Sequence, residues 1–345
     1  MVDERVQGQF PGAAGYLNTA SLGLPPQVAV DALSAALTEW QAGRAEAPAY
    51  DIHVSTARNA FAKMVGAPVE WVATGAQVSA LVGMAVTLLR PGARVLCPED
   101  EFTSVIFPFL VREDLELDVV TTPLERLAES IDAATDLVAF SLVQSADGRV
   151  ADAEAVRKAA ASNGALTLVD ATQAAGWLPF DATHFDVTVT GAYKWMLSPR
   201  GTAFMTVRPE LLDRIQPLYA GWYAGPEPWE SIYGLPLRLA SDASRLDLSP
   251  AWHAWVGTAA SLRLLNEVGV EHIHAHDIGL ANTLRAGLGL EPGDSAMVSL
   301  DVDPDFDPAR LTGLRTAFRA GRLRVGFHLY NTEEDVQRLL AALKG

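Results

Sequence analysis

At 345 residues, 49% hydrophobic and 20% charged, the chain is long enough to bury a large core and is no disordered polymer. A formal net charge of −16 argues against a non-specific nucleic-acid or membrane-surface binder, though a local pocket can oppose that field for a small anion. The single cysteine, Cys97, excludes an intrachain disulfide framework and a cysteine metal site. It fits a reducing compartment. MVDERVQGQFPG carries no apolar signal segment and no apolar run reaches spanning length, so a cytoplasmic protein is expected.

In chain order, residues 1–24 read as an irregular arm ending in YLNTASLGL. Apolar spacing predicts amphipathic helices over 26–45 and 53–66. From residue 71 short apolar runs alternate with helical stretches: WVAT, a helix through Leu81 to Leu89, RVLCP, LDVVTT, LVAFSLVQ, a helix over 151–162, ALTLVD, DVTVT and TAFMTV. Such alternation predicts a mainly parallel sheet covered on both faces by helices. GWYAGPEPW is a loop. Helices follow over about 250–268 and 270–288, then SAMVSLDV as a strand, a helix near 308–320, the strand RLRVGFHLY and a last helix in TEEDVQRLLAALK. The division expected is an N-terminal arm over 1–24, a large domain over 25–248 and a smaller α/β domain over 249–345. The acidic clusters Glu99–Glu101 and Asp301–Asp307 read as solvated surface.

Lys194 lies just past the strand DVTVT. Ligands of α/β sheets sit beyond the carboxyl ends of strands, and a lysine desolvated there can serve as an imine-forming nucleophile. A plain surface lysine is an equal reading from position alone. Asp170 ends ALTLVD; as a buried carboxylate it needs a partner, such as a protonated ring nitrogen, and otherwise it caps the next turn. Gln173, three residues on, can reach the same ligand. In ATGAQVSALVG a glycine turn precedes a helix, so the backbone N–H groups of Ala76 and Gln77 would face an anion. Phe102, just after RVLCP, either covers the face of a flat ligand or packs in the core. Arg324 has the fork geometry that grips a carboxylate, with Arg322 as its local competitor. The motif HIHAH (His272, His274, His276) reads as helix surface rather than a metal site.

Taken in order, the glycine-turn anion site, strand-end aromatic, DxxQ, strand-end lysine and late arginine resemble fold-type I pyridoxal-phosphate enzymes. In detail the chain looks like the class V aminotransferase group, which includes cysteine desulfurases, selenocysteine lyases, kynureninases and isopenicillin N epimerases. The resemblance runs from YLNTAS to RVGFHLYNTEEDVQRLLAAL. It implies a large domain with a mainly parallel sheet flanked by helices, a smaller C-terminal α/β domain, and pyridoxal 5'-phosphate as cofactor. Lys194 would hold that cofactor as a Schiff base and then shuttle a proton. Asp170 would pair with its ring nitrogen, Gln173 with its ring oxygen, and Phe102 would stack on the ring. Ala76 and Gln77 would bind its phosphate, Ser145 would stand near it, and Arg324 would take the substrate carboxylate. Asn18, Thr19 and Ala20 would lie near the substrate, with Trp222 and Tyr223 lining its pocket. The chain departs from the pattern at GAY before the lysine, leaving Thr190 or Tyr193 to supply a phosphate-binding hydroxyl, and at Gly326, where relatives carry Ser. RLDLSPAW resembles a loop reaching a neighbouring subunit's phosphate through Ser249, which implies a homodimer with shared sites.

A persulfide-forming desulfurase is disfavoured, because Cys97 sits at a strand end and not in a late loop. Transamination of an amino acid is the leading expectation. β-Elimination of a C–S bond without a persulfide cysteine, epimerisation and kynureninase-like hydrolysis follow, and a catalytically inactive binding protein is the reading from another class. A nucleotide-binding oxidoreductase lacks its GxGxxG and leaves Lys194 unexplained.

Overall fold

Runs of β-branched and apolar residues bounded by glycine and proline build one central sheet. The computed structural model describes residues 3–303 and 306–344. Seven strands, β1 (Val72–Gly75), β2 (Arg94–Pro98), β3 (Asp118–Thr122), β4 (Leu137–Ser141), β5 (Leu166–Asp170), β6 (Val187–Gly191) and β7 (Ala203–Val207), are ordered 1-7-6-5-4-2-3. All pairings are parallel except those of β7, which runs antiparallel between β1 and β6. β4, β6 and β7 are buried along their whole length and β5 from Thr167 onward, so no inward–outward alternation shows in their sequence.

Helices cover both faces. The helices α1 (Glu4–Gln7), α2 (Gln27–Gln41), α3 (Asp51–Met64), α4 (Val78–Ala85), α5 (Thr103–Leu110), α6 (Ala153–Asn163) and α7 (Pro209–Leu212) accompany the sheet. α8 (Trp252–Val268) packs on α2 and α3, and α9 (Val270–Gly287) follows it. Phe61 of α3 stacks on Phe204 of β7 at 4.2 Å between centroids, and Trp255 of α8 meets Phe204 edge-on at 5.4 Å. Burying each such ring contributes about 2–3 kcal/mol. Gly257 lets α8 approach Pro199, because a Cβ there would lie 2.7 Å from the proline ring.

The C-terminal part forms a second sheet of β8 (Met297–Leu300), β10 (Arg322–Gly326) and β9 (Ala317–Arg319), in that order and antiparallel throughout. One face, with Leu323, Val325, Val298 and Leu300, packs against α9 and α10 (Glu333–Lys344). The other face looks toward the large sheet. The arm adds to this unit: Leu17 donates to Arg315 O (2.8 Å) and accepts from Gly326 N (2.9 Å).

Several expectations need correction. Residues 308–320 are not a helix. Pro308–Leu311 forms one 3-10 turn, Gly313 breaks it at φ +81°, and Ala317–Arg319 becomes a strand. Leu311, Leu314 and Ala317 are all buried, and their i, i+3 spacing mimics a helical stripe. The final unit combines helices α9 and α10 with strands, as expected, and its sheet is antiparallel. Of the acidic cluster at 99–101, Glu99 and Asp100 are exposed but Glu101 is only 6% exposed. Pro304 and Asp305, within the acidic run 301–307, lie outside the described residues. Of HIHAH only His272 is exposed: His274 stacks on Trp177 (5.8 Å) and His276 bonds Asp277 (2.9 Å). Among the described residues no cluster of three or more His, Cys, Asp or Glu is placed to hold a metal. No helix among them is long and apolar enough to cross a membrane.

Candidate active site

The carboxyl ends of β1, β2, β4, β5 and β6 converge on a cavity of about 300 Å³. Its walls include Ala76, Gln77, Phe102, Ser145, Asp170, Gln173, Tyr193 and Lys194. Five separate pieces of sequence thus meet where open α/β sheets bind ligands.

Lys194 follows β6 in a tight turn and is 5% exposed. Its Nζ has no hydrogen-bond or carboxylate partner within 4 Å among the described residues; it lies 5.4 Å from the Phe102 ring centre and 5.7 Å from that of Tyr193. Burial pushes its ammonium down to about 8, opposed by Asp170 and assisted by Arg324, Arg319 and Arg200. The backbone around it is clasped closely. A Cβ on Gly23 would lie 2.0 Å from Lys194 O, and one on Gly176 (φ +111°) would lie 2.3 Å from Trp195 O. Gly23 N donates to Tyr193 O (2.9 Å), and His328 Nε2 reaches Trp195 O at 2.8 Å. Only glycine fits at these approaches.

Asp170 is buried, with Thr172 N donating to its Oδ1 at 2.8 Å. Burial raises its carboxyl to about 6; the Thr172 bonds and Lys194 pull it back down, and Glu101 adds to the rise. Gln173 is fixed from three sides: Nε2 donates to Ala20 O (3.1 Å) and Ser145 Oγ (3.0 Å), and Oε1 accepts from Trp195 Nε1 (2.7 Å). At the start of α4, Gln77 is the N-cap residue with extended backbone, so the first amides of that helix open on the cavity. Phe102 is 42% exposed at the rim.

Arg324 is 2% exposed. It donates to Ser145 O and, at 2.9 Å, to Ser21 Oγ, while its Nε is buried without a partner. Burial and then Arg319 push its guanidinium down to about 10, which leaves it cationic at neutral pH. Its competitor Arg322 is held by Asp301 at 2.9 Å.

Several expected positions are not among the residues lining this cavity: Arg324, Asn18 and Ala20 stand beyond its wall, and Thr190, Trp222, Tyr223 and Ser249 lie elsewhere. Thr190 is fully buried on β6, on the strand face away from Gly191, with Oγ1 unpartnered. Tyr223 is buried and its hydroxyl donates to Asp51 on α3 (3.0 Å), so it faces the core. Trp222 packs on Tyr223 and Trp229 instead. Ser249 is exposed beside Gly221. In the arm, Thr19 bonds the Tyr330 hydroxyl (2.5 Å), and Asn18 bridges to Gly326 with a buried, unpartnered Oδ1.

A model of the family described as Aminotransferase class-V matches residues 16–303. The chain belongs to the class V aminotransferase family. Among curated members, an uncharacterized aminotransferase of Bacillus subtilis (strain 168), YcbU, is 30% identical over 309 residues, 82% of this chain and 81% of that protein. The isopenicillin N epimerase of Streptomyces clavuligerus is 28% identical over 83% of each chain. Of solved structures, the apo cysteine desulfurase of Thermococcus onnurineus NA1 superposes with a TM-score of 0.86 at 20% identity, over 100% of this chain and 98% of that one. The cystine C-S lyase C-DES in complex with cysteine persulfide gives 0.86 at 22% identity, over 97% and 99%. The fold is therefore fold-type I, that of pyridoxal-phosphate enzymes.

Within this class V aminotransferase site, sequence reasoning missed Glu101, Ser141, Thr172, Arg200 and Thr202. Glu101 accepts from Phe102 N (2.8 Å), Ser141 N (2.7 Å), the Ser141 hydroxyl and Gln144 Nε2 (3.1 Å), which pins the Phe102 segment to the end of β4. Arg200 lies over the Tyr193 ring at 4.9 Å on the cavity wall. Strand-end position was the available signal for Glu101, but its two acidic neighbours masked it.

Proposed function

We propose that this cavity holds pyridoxal 5'-phosphate and that the protein acts on the amino group of an amino acid, with transamination as the leading outcome. The carrying observation is Lys194: a buried amine with no acid in ion-pair contact among the described residues, lining a cavity that also holds a buried carboxylate. Arginine would not serve there, since it does not give up its proton. When bound, the cofactor supplies an aldehyde for amine condensation and an electron-withdrawing ring.

The residues fit that group. Lys194, lowered to about 8, has a neutral fraction near pH 7 that can form the covalent link and later carry a proton. Asp170 would sit against the ring nitrogen and keep its proton in place. Gln173 would turn the Nε2 hydrogen now given to Ser145 Oγ toward the ring oxygen, and Phe102 would cover one ring face. The amides at Ala76, Gln77 and the start of α4 would take the phosphate, joined by Arg200 and the Tyr193 hydroxyl. Arg324 would grip the substrate carboxylate, with Asn18 and Ala20 of the arm beside it. Ser249, exposed and outside its own cavity, suits service to a second copy, and Trp222 near the same loop would line that copy's substrate pocket, whereas Tyr223 is committed to the core through Asp51. The exposed Tyr233, Leu235 and Leu237 support a homodimer with shared sites, which we place in the cytoplasm.

Elimination at a C–S bond, epimerisation and hydrolysis share the same first step. A persulfide on Cys97 is disfavoured, because the thiol is buried and pushed up to about 12. The test is a visible spectrum of the purified protein before and after borohydride, with peptide mapping. A yellow band lost on reduction, with the cofactor fixed at Lys194, supports the reading. A protein that stays colourless with added cofactor overturns it in favour of a catalytically inactive binding protein. Keto-acid product then marks transamination, and pyruvate with a released thiol marks elimination.

A further inference from the structure

We propose that Arg319 binds a second anionic group of the substrate, next to Arg324, so that the amino acid taken here carries an acid on its side chain. This rests on reading the cavity as an amino-acid site. The argument starts from register. Arg319 lies opposite Arg322, and Ala317 opposite Arg324, and residues directly opposite in a sheet share a face. Arg319, Arg322 and Arg324 therefore stand on one face of the small sheet, the face turned from the Leu323 and Val325 core, and from it Arg324 reaches the carbonyl of Ser145 on the cavity wall. The connecting turn has positive φ at both Ala320 (47°) and Gly321 (76°), the tight hairpin geometry that holds the two strands in register. Arg319 is then the diagonal neighbour of Arg324, at roughly 7–8 Å between Cα atoms.

Charge accounting on that face is incomplete. Arg322 is matched by Asp301, with bonds of 2.9 and 3.0 Å. Arg324 has only a carbonyl and a hydroxyl. Arg319 is exposed, donates to the adjacent Phe318 O (2.8 Å), and has no carboxylate partner among the described residues. Arg319 is close enough to lower both Arg324 and Lys194. The chain has 42 acidic residues against 26 basic ones, so acids are plentiful, yet none among the described residues forms an ion pair with Arg319 or Arg324. A ligand with two acids would. Its α-carboxylate would meet the buried Arg324 fork, and a carboxylate, sulfinate or phosphate two or three carbons away would meet Arg319.

The test uses cofactor-free protein and amine-free acids, so that it does not depend on turnover. Glutarate and butyrate are titrated by calorimetry into the wild type, Arg319→Gln and Arg322→Gln. Glutarate should bind the wild type at least about tenfold tighter than butyrate, Arg319→Gln should erase that preference, and Arg322→Gln should keep it. Equal binding of the two acids, no binding of either, a preference surviving in Arg319→Gln, or an equal loss in Arg322→Gln overturns the proposal. In loaded enzyme, the KM ratio of glutamine to glutamate should fall with Arg319→Gln. A protein that discriminates the diacid but forms no imine at Lys194 overturns the cofactor reading and leaves Arg319 in its role.

Discussion

Replacing Lys194 by methionine should stabilise the cofactor-free protein. Methionine fills nearly the same volume and carries no charge, and in the wild type the ammonium is buried against two rings with no acid in contact. Lowering it from its ordinary 10.5 to about 8 costs the folded state about 3 kcal/mol at neutral pH. Asp170 loses a nearby cation in the variant, so the net gain expected at pH 7 is about 1–3 kcal/mol. The sign also fixes a pH dependence. Between about pH 8 and 10.5 the unfolded chain holds a proton on this amine that the folded protein lacks, so wild-type stability rises with pH in that window. The advantage of Lys194→Met should therefore shrink toward zero by pH 10.5. Urea unfolding followed by tryptophan fluorescence at pH 7, 8.5 and 10 measures it, and eight tryptophans give the signal. A variant no more stable than the wild type at pH 7, or a gap that stays constant with pH, would refute the reasoning.

Asp170→Asn removes a buried carboxylate raised to about 6, so it should also stabilise the cofactor-free protein at pH 7, with the gain fading as acid neutralises wild-type Asp170 between pH 6 and 4. In loaded enzyme the same change should cut turnover by at least about 100-fold, measured as kcat. Glu101→Ala strands four donors, on Phe102, Ser141 and Gln144, and should cost about 3–5 kcal/mol in urea unfolding, with Glu101→Gln costing less. Cys97 should resist a thiol reagent in the folded protein at pH 8 and react fully in denaturant, as its burial and raised thiol require. Gly176→Ala forces a Cβ to 2.3 Å from a backbone oxygen at a positive φ, and a melting curve should show a loss of about 1–3 kcal/mol or more.

The large sheet was legible because parallel strands buried on both faces write themselves as apolar runs, and LVAFS, LTLVD and VTVTG do so. Lys194, Asp170 and Arg324 were legible because each ends or occupies such a run, where a charged residue stands out. Glu101 was not, since an acid following two solvated acids looks like a third. The helix expected over 308–320 failed because Leu311, Leu314 and Ala317 share a period with helices while Gly313 and strand pairing decide the backbone. Arg200 and Thr202 were missed because they belong to the turn after Lys194, whose path depends on glycines at 23 and 176 that lie far away in sequence. Trp222, Tyr223 and Ser249 do not line this chain's cavity, because the loop that carries them packs on itself and on Asp51 instead.

The contact of His328 with the Trp195 carbonyl has a mechanical meaning. Gly326 lies against the Trp195 indole, where a Cβ would come within 3.2 Å of the ring, and Arg324 is two residues before it on the same strand. The Arg324 cation and the amine beside Trp195 are thus mounted on one short bracket, the five residues from Arg324 to His328 bolted to a single peptide. In the proposed function that bracket would gauge the span between the carboxylate and amino groups of an amino acid.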